Sequence, residues 1–563
     1  LSANAITKAC SPVDFGGKSG GMVEVVNESC ILPFFSARSL SRQRGIRANR
    51  GRDGDSGDWD GDAGSRDPDG RGSVRLSPPP GCCFLMADLV PPGVAPTDFA
   101  RALAGFRADA LRAVLAVANR YRVPLWPVSM GKNFAYGTAA PRQRGTVVLD
   151  LKRMNRVLEI DERLGYALVE PGVSFFDMKA ELDRRGSKLW MSGAAHSWGS
   201  VIGNALEHGV GYTPYGTHAE AICGMEVILA DGSLVRTGLG ATAGSREWNV
   251  YKWPFGPNWD GLFTQSNFGI VTKVGVWLMP EPAGMAGVTI SVPGRGDLGR
   301  LIEALRPLRL DDTINAPYTI ANGWRQASAG RIRSDIYTGP GAIPAAVIGD
   351  VLASNKRGWW SVIFNLFDRP DALDIRLAAI REGFAATLPE ARIDVVRWRR
   401  GEPKAPWMRQ DTTLAPLSIV NWHGGPGGHT DLGPVLAPVG ERVEEIYGLI
   451  EQRFLEAGVD PWVGMFGLGN RAIVMVADLF YNRDDAEMTE RCRRLFRALC
   501  KELVGKGVAL YRSHLTFMDD AAAMQNWNDG AFGKLNARMK DMLDPNGILA
   551  PGKQGIWPAG ARR

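Results

Sequence analysis

Between Ser39 and Pro80 the chain reads SLSRQRGIRANRGRDGDSGDWDGDAGSRDPDGRGSVRLSPPP, a stretch of arginine, aspartate and glycine with almost nothing to bury. A segment without apolar surface cannot offset the entropy lost on ordering, so this one is expected to stay disordered and the fold to lie downstream. Ordinary globular texture starts just after Met86, at ADLVPPGVAPTDF. Residues 1–85 therefore read as a disordered or non-native leader, with the natural start expected near Met86. The fragment GGKSG at Gly16 to Gly20 lacks the first glycine of a phosphate loop, because Pro12 stands there, so no nucleotide site is expected in it.

Of 563 residues, 45% are hydrophobic and 22% charged, enough for a globular protein of two or more domains. The net charge of +6 comes from 66 basic against 60 acidic side chains and shows no basic block, which argues against a nucleic-acid partner. No stretch approaches the length of apolar chain that spans a bilayer, and no signal peptide is legible, so the expected location is the cytoplasm, away from membranes. Four cysteines (Cys10, Cys30, Cys82, Cys83) precede Met86, and Cys223, Cys492 and Cys500 have spacings that suit neither a zinc site nor a disulfide scaffold. No metal site is expected.

From Thr97 apolar residues recur at helical spacing through Leu111, Val114, Leu115 and Ala118, until Val123-Pro124 ends the run. Strands are expected at LWPV (125–128), TVVLDL (146–151), YALVEPGV (166–173) and FGIVTKVGVWLMP (268–280). A helix over FFDMKAELDRRG should close at Gly186 with a left-handed cap. In MEVILADGSLVRTG, Asp231-Gly232 predicts a two-residue hairpin turn. Longer helices follow at 442–458 and 486–507, interleaved with strands, so the fold class is α+β in two domains.

Three glycine-rich stretches are candidates for chemistry. PVSMGKNFAYGTAAP (127–141) follows a strand with a loop of small residues that lets backbone N–H groups approach a phosphate. SGAAHSWGSVIGNALEHGVGYTPYG (192–216) suits backbone packed against a flat ligand. DPNGILAPGK (544–553) is turn-rich and carries one cation. No GxGxxG opens a helix after a strand, which argues against a Rossmann site.

Taken together, VPLWPVSMGKN, VVLDL, VEPGV, GSVIGNALEHGVGYTPYG, GMEVILADGSLVRTG, DGLFTQSNFGIVTK, YRSHLTFMDD and DPNGILAPGKQGIW occur in an order that resembles the vanillyl-alcohol oxidase and p-cresol methylhydroxylase family. The resemblance covers about Val90 to Pro558. It implies a two-domain flavoprotein: an FAD-binding domain of the p-cresol methylhydroxylase type over residues 86–287, a cap domain over 288–507, and a C-terminal segment, 508–563, that returns to the FAD domain. It also implies oxidation or hydroxylation of para-substituted phenols such as 4-alkylphenols, vanillyl alcohol or eugenol-type compounds. Hydride would pass from the benzylic carbon to flavin N5 through a para-quinone methide, with oxygen or a separate cytochrome as electron acceptor. Homo-oligomers are common in that family. Two other readings stay open: an FAD-dependent oxidoreductase of hydroxy acids or sugar lactones, and a catalytically dead remnant with a binding role.

By the same resemblance, Tyr136, Tyr511 and Arg512 hold the substrate as a phenolate, and two hydroxyls and a guanidinium around one oxygen would lower a phenol pKa. The residues implied to line the cofactor are Ser129, Gly131, Asn133 and Gly137; Gly199, Ser200, Gly203, Asn204 and Tyr212; Gly269, Ile270 and Val271; and Lys553. His429 falls where histidyl-linked members bond the flavin C8α methyl, with His423 as competitor. Three departures stand out. Ala195 replaces an aspartate expected beside flavin N5, with His196 adjacent. Ala135 and Thr138 replace glycines of the phosphate loop. Arg107 runs almost directly into Ala110 where the family has its first strand.

Overall fold

The computed structural model describes residues 108–403 and 419–562. The leader, the start near Met86, the part of the helical pattern before Ala108 and the junction at Arg107 lie outside these residues; the part from Leu111 to Ala118 is helical as expected. The three described cysteines, Cys223, Cys492 and Cys500, are buried and unbridged.

Helix α1 (Ala108–Tyr121) presents Leu111, Leu115 and Ala118 to a small core with Leu125, Leu149, Ile548 and Leu549. Strand β1 (Leu125–Val128) pairs in parallel with β2 (Val147–Asp150). On its other side Leu125 is held by the C-terminal segment: its N–H donates to Ile548 O at 2.7 Å, and Ala550 N–H donates to Leu125 O at 2.7 Å. Next come β3 (Val157–Asp161), β4 (Tyr166–Val169) and helix α2 (Phe175–Arg185). The expected strand at 166–173 is shorter because Pro171-Gly172 turns the chain into that helix. Ser174 and Asp177 form a reciprocal capping box at its start, and Gly186 ends it at φ 62°, as its sequence leads one to expect.

Strand β5 (Leu189–Trp190), helix α3 (Val201–Leu206), β6 (Ile222–Ile228), β7 (Leu234–Arg236), β8 (Ile270–Trp277) and β9 (Met279–Pro280) follow. An antiparallel sheet runs β3-β4-β8-β6-β7. Its two central strands are almost wholly buried, which is why their sequences read as continuous apolar runs. The β6–β7 hairpin differs from expectation. Leu229 N–H donates to Ser233 O, so three residues form the loop, and of these only Gly232 (φ 87°) is left-handed. Ser233 N–H donates to Asp231 Oδ1, so the aspartate turns the chain through its side chain.

A second, eight-stranded sheet is built from β10 (Gly284–Val292), β11 (Thr319–Ala321), β12 (Trp360–Asp368), β13 (Arg392–Arg399), β14 (Gly427–Leu432), β15 (Val435–Leu436), β16 (Trp462–Leu468) and β17 (Ala472–Asn482). Its order is β13-β10-β12-β11-β16-β17-β14, with β15 also on β17. Helices α4 (Leu298–Leu310), α5 (Gly323–Ala327), α6 (Ala345–Ser354), α7 (Pro370–Thr387), α8 (Gly440–Glu456) and α9 (Ala486–Gly505) supply Leu301, Leu305, Trp324, Ile380, Ile446, Phe454, Phe496 and Leu499 to the large core on this sheet.

The chain then returns through α10 (Met518–Ala523) and α11 (Trp527–Leu543) to the first sheet. Lys540, fully buried on α11, pairs with Asp544 at 2.7 Å and donates to Asn267 O and Leu549 O. Asn267 in turn donates to Ala550 O and Ile556 O, so a polar clasp fixes the tail beside β8. Among the described residues no helix is long and apolar enough to cross a membrane.

Candidate active site

A cavity of about 840 Å³ is lined by the loop after β1, the 194–212 segment, the start of β8, the inner faces of β14, β16 and β17, and the C-terminal return. Its size is within the range that holds cofactor-sized ligands. Of the residues singled out in the sequence, Ser129, Gly131, Asn133, Tyr136, Gly199, Ser200, Gly203, Asn204, Tyr212, Gly269, Ile270, Val271, His429, Tyr511, Arg512 and Lys553 all line it. Gly137 does not. It sits at φ 98°, and a Cβ there would overlap Leu515, so this glycine serves backbone shape and close packing.

The loop after β1 is built from left-handed residues: Gly131 (φ 64°), Ala135 (φ 66°), Gly137 (φ 98°) and Thr138 (φ 52°). Ala135 and Thr138 thus adopt the glycine conformation with a side chain in place, at a cost of about 1 kcal/mol each. Among the described residues no backbone acceptor takes the N–H groups of Gly131, Lys132 and Asn133. Amides without a backbone acceptor, in a loop that lines the cavity, suit anionic oxygens, and this donor set fits the diphosphate of a dinucleotide. Close approach continues at Gly203, where a Cβ would overlap Ser129 Oγ. Ser200 caps α3, accepting from Gly203 N–H at 2.9 Å and donating to Pro171 O at 2.6 Å.

Lys553 is not a lone cation. Its Nζ lies 2.6 Å from Glu207 Oε1, and Gln554 donates to the other carboxylate oxygen at 3.0 Å. Burial opposes ionisation of Glu207, but Lys553 and Arg512 outweigh it and hold the carboxyl below its ordinary pKa. The cavity thus carries a salt bridge that joins α3 to the C-terminal return.

At one end of the cavity the Tyr136 and Tyr511 hydroxyls stand 3.5 Å apart. The Arg512 guanidinium lies 3.9 Å from the Tyr136 ring centroid and 5.9 Å from that of Tyr511, and Nη2 donates to Asn133 Oδ1 at 2.9 Å. Tyr511 is fixed by its N–H to Gly433 O and by Gln265 Nε2 donating to its carbonyl at 2.8 Å. Burial, with the nearby Asp431 and Tyr511, raises the Tyr136 pKa well above the ordinary value despite Arg512, so its hydroxyl remains a donor. Two adjacent hydroxyls, with a half-buried guanidinium packed on the Tyr136 ring and hydrogen-bonded to the Tyr511 side chain, can receive an oxyanion.

His429 and Asp431 lie on β14, opposite Phe480 and Asp478 of β17. The imidazole stacks on Phe480 (5.5 Å) and meets Phe134 (4.8 Å), and Nε2 is 3.5 Å from Asp431 Oδ1. Ligand atoms of His429, Asp431 and Asp478 lie within 4.8 Å of one another. Burial and the Asp431 charge push Asp478 well up, so the pair shares a proton held on Asp478 while Asp431 stays ionised. Burial lowers the His429 pKa, keeping the ring neutral. His423, the competitor, lies outside the cavity lining, near Asp460 and Arg333. His196 and Ala195 both line the cavity, and burial pushes His196 down to about 4.

The sequence reading missed Glu207, Asp431, Asp478, Phe134, Phe480 and Arg325, all of which line the cavity. The alternation of His429 and Asp431 in GGHTDL was the one available signal.

Comparison with known proteins decides the family. A family model described as an FAD binding domain matches residues 107–238, and one described as FAD linked oxidases, C-terminal domain, matches 436–554. The 4-cresol dehydrogenase [hydroxylating] flavoprotein subunit of Pseudomonas putida is 36% identical over 455 residues, 80% of this chain and 86% of that protein. The chain belongs to the vanillyl-alcohol oxidase and p-cresol methylhydroxylase family. Among solved structures it is similar to 4-ethylphenol oxidase from Gulosibacter chungangensis in complex with isoeugenol, with TM-score 0.77, 33% identity, and coverage of 81% of this chain and 89% of that one. It is also similar to p-cresol methylhydroxylase with substrate bound, with TM-score 0.76, 34% identity, and coverage of 80% and 88%. As a member of this family the chain is a two-domain α+β flavoprotein and an FAD-dependent oxidoreductase.

Proposed function

We propose that this family member oxidises para-substituted phenols at the benzylic carbon. The observation that carries this reading is the convergence of Tyr136, Tyr511 and Arg512 at one end of the cavity. In this reading the two hydroxyls and the guanidinium take the substrate oxygen as phenolate. Negative charge on that oxygen is delocalised to the para position, which makes departure of a benzylic hydride favourable. Bound FAD supplies the hydride acceptor. The substrate, having lost hydride, is a para-quinone methide; water adds to it to give a benzylic alcohol, or an alcohol substrate collapses to an aldehyde.

The loop of residues 129–133, the 199–204 turn, Tyr212, residues 269–271 and Lys553 hold the cofactor in this proposal, and His429 bonds it. The domains are assigned as FAD-binding over 86–287, cap over 288–507, and a return over 508–563. The names of the relatives support an alkylphenol as substrate, and the term flavoprotein subunit supports a separate redox partner such as a cytochrome, with oxygen as the other acceptor. The test is anaerobic mixing of the purified holoenzyme with 4-ethylphenol, vanillyl alcohol, a 2-hydroxy acid and a sugar. Phenols should bleach the flavin's visible absorbance fastest. Bleaching by the hydroxy acid or sugar alone would overturn the assignment.

A further inference from the structure

Residues two apart on a strand share a face, so β14 directs both His429 and Asp431 into the cavity. Both side chains are largely buried, and the carboxylate Oδ1 stands 3.5 Å from imidazole Nε2. No described residue donates a hydrogen bond to that Oδ1. The ring cannot swing away, because Phe480 stacks on it and Phe134 packs against it. Across the strand pair Asp478 occupies the position opposite Asp431. A carboxylate with one oxygen free, beside a caged neutral imidazole, is the arrangement that fixes a tautomer and accepts a proton.

We propose that Asp431 is the base that makes His429 nucleophilic toward the flavin. This rests on the reading of His429 as the point of attachment. Asp431 takes the N–H proton at Nε2, and Nδ1 forms a C–N bond to the C8α methyl carbon as one C–H bond of that methyl breaks. The electron pair of the C–H bond stays on the flavin, which takes up the methyl proton; Asp431 then passes the imidazole proton to the reduced flavin, so the carboxylate is regenerated and the flavin holds two electrons and two protons. Dioxygen is the oxidant that removes both electrons and both protons as hydrogen peroxide. His196 is the alternative base, since it lines the same cavity and its Nδ1 has no hydrogen-bond partner among the described residues.

The experiment follows covalent incorporation rather than turnover. Wild type, Asp431→Asn, His196→Gln and His429→Ala are incubated with excess FAD in air, and the fraction of chain heavier by one FAD less two hydrogens is read by denaturing mass spectrometry. Removing a general base should slow Asp431→Asn about 100-fold or more, while the protein still retains FAD on gel filtration. Formate should restore the rate in Asp431→Ala. Incorporation by Asp431→Asn at the wild-type rate, or slowing in His196→Gln instead, overturns the assignment to Asp431. Should Asp431→Asn lose FAD altogether, Asp431→Glu decides: covalent incorporation supports the base, and bound but unlinked FAD overturns it. A wild type without linked flavin, or a His429→Ala variant that retains it, refutes the attachment point itself, and phenol oxidation by dissociable FAD remains separately measurable.

Discussion

Replacing Arg512 with methionine keeps the length and the apolar stem but removes the half-buried guanidinium beside Tyr136 and Tyr511. The side chain lies 3.9 Å from the Tyr136 ring and donates to Asn133 at 2.9 Å, and burial opposes its charge while the two tyrosines and Glu207 more than restore it. If it holds a phenolate, the lost interaction is a hydrogen bond to a charged group, about 2 kcal/mol net, or about 30-fold in kcat/KM. The ceiling is the Coulomb attraction of opposite charges about 4 Å apart at an effective dielectric constant of about 20, about 4 kcal/mol or roughly 1,000-fold. The assay is kcat/KM on 4-ethylphenol, paired with the ultraviolet difference spectrum of a bound phenol that lacks a para substituent. Wild type should bind that phenol ionised and Arg512→Met should bind it neutral. A loss no larger than that of the exposed Arg163→Met, with the phenolate spectrum unchanged, would refute the oxyanion reading of this corner.

Two further outcomes concern the scaffold. Lys540→Met leaves Asp544 charged and buried without its 2.7 Å partner, and loss of one member of such a pair costs about 3–5 kcal/mol; thermal denaturation should show a large drop in Tm that Lys540→Met with Asp544→Asn partly reverses. Burial pushes His218 from 6.5 down to about 4, with the Ser192 backbone opposing, while its Nδ1 meets Asn204 Oδ1 at 2.6 Å. The unfolded chain therefore binds a proton that the folded one refuses, and stability present above pH 6.5 is lost as pH falls toward 4, on the order of 3 kcal/mol. Denaturant titrations of wild type and His218→Gln across that window should show the slope flatten in the variant.

Local signals were legible and distant pairings were not. The capping box of Ser174 and Asp177 and the stop at Gly186 are written in adjacent residues, so α2 could be placed by reading along the chain. The loop at Asp231-Gly232 was placed correctly but given the wrong length, because the dipeptide does not reveal whether Ala230 belongs to strand or turn. Asp431 faces Asp478 only because β14 pairs with β17 in one register, and a one-residue slip would turn those carboxylates to opposite faces. Glu207 and Lys553 meet across most of the chain, and neither sits in a motif that names the other. Gly137 drew attention as a loop glycine, yet its neighbour Leu515 explains it, and that contact is set by tertiary packing.

The clasp of Lys540, Asn267 and the Ile548–Ala550 segment also dictates an order of assembly. Leu125 opens the first parallel strand, yet its outer hydrogen bonds go to residues made more than four hundred positions later. During synthesis the large core on the second sheet can close first, whereas the cofactor cavity stays open on one side until the tail emerges from the ribosome. Flavin capture should therefore wait for the 548–550 segment, and a ribosome-bound intermediate stalled before Leu549 should hold a folded cap and no cofactor.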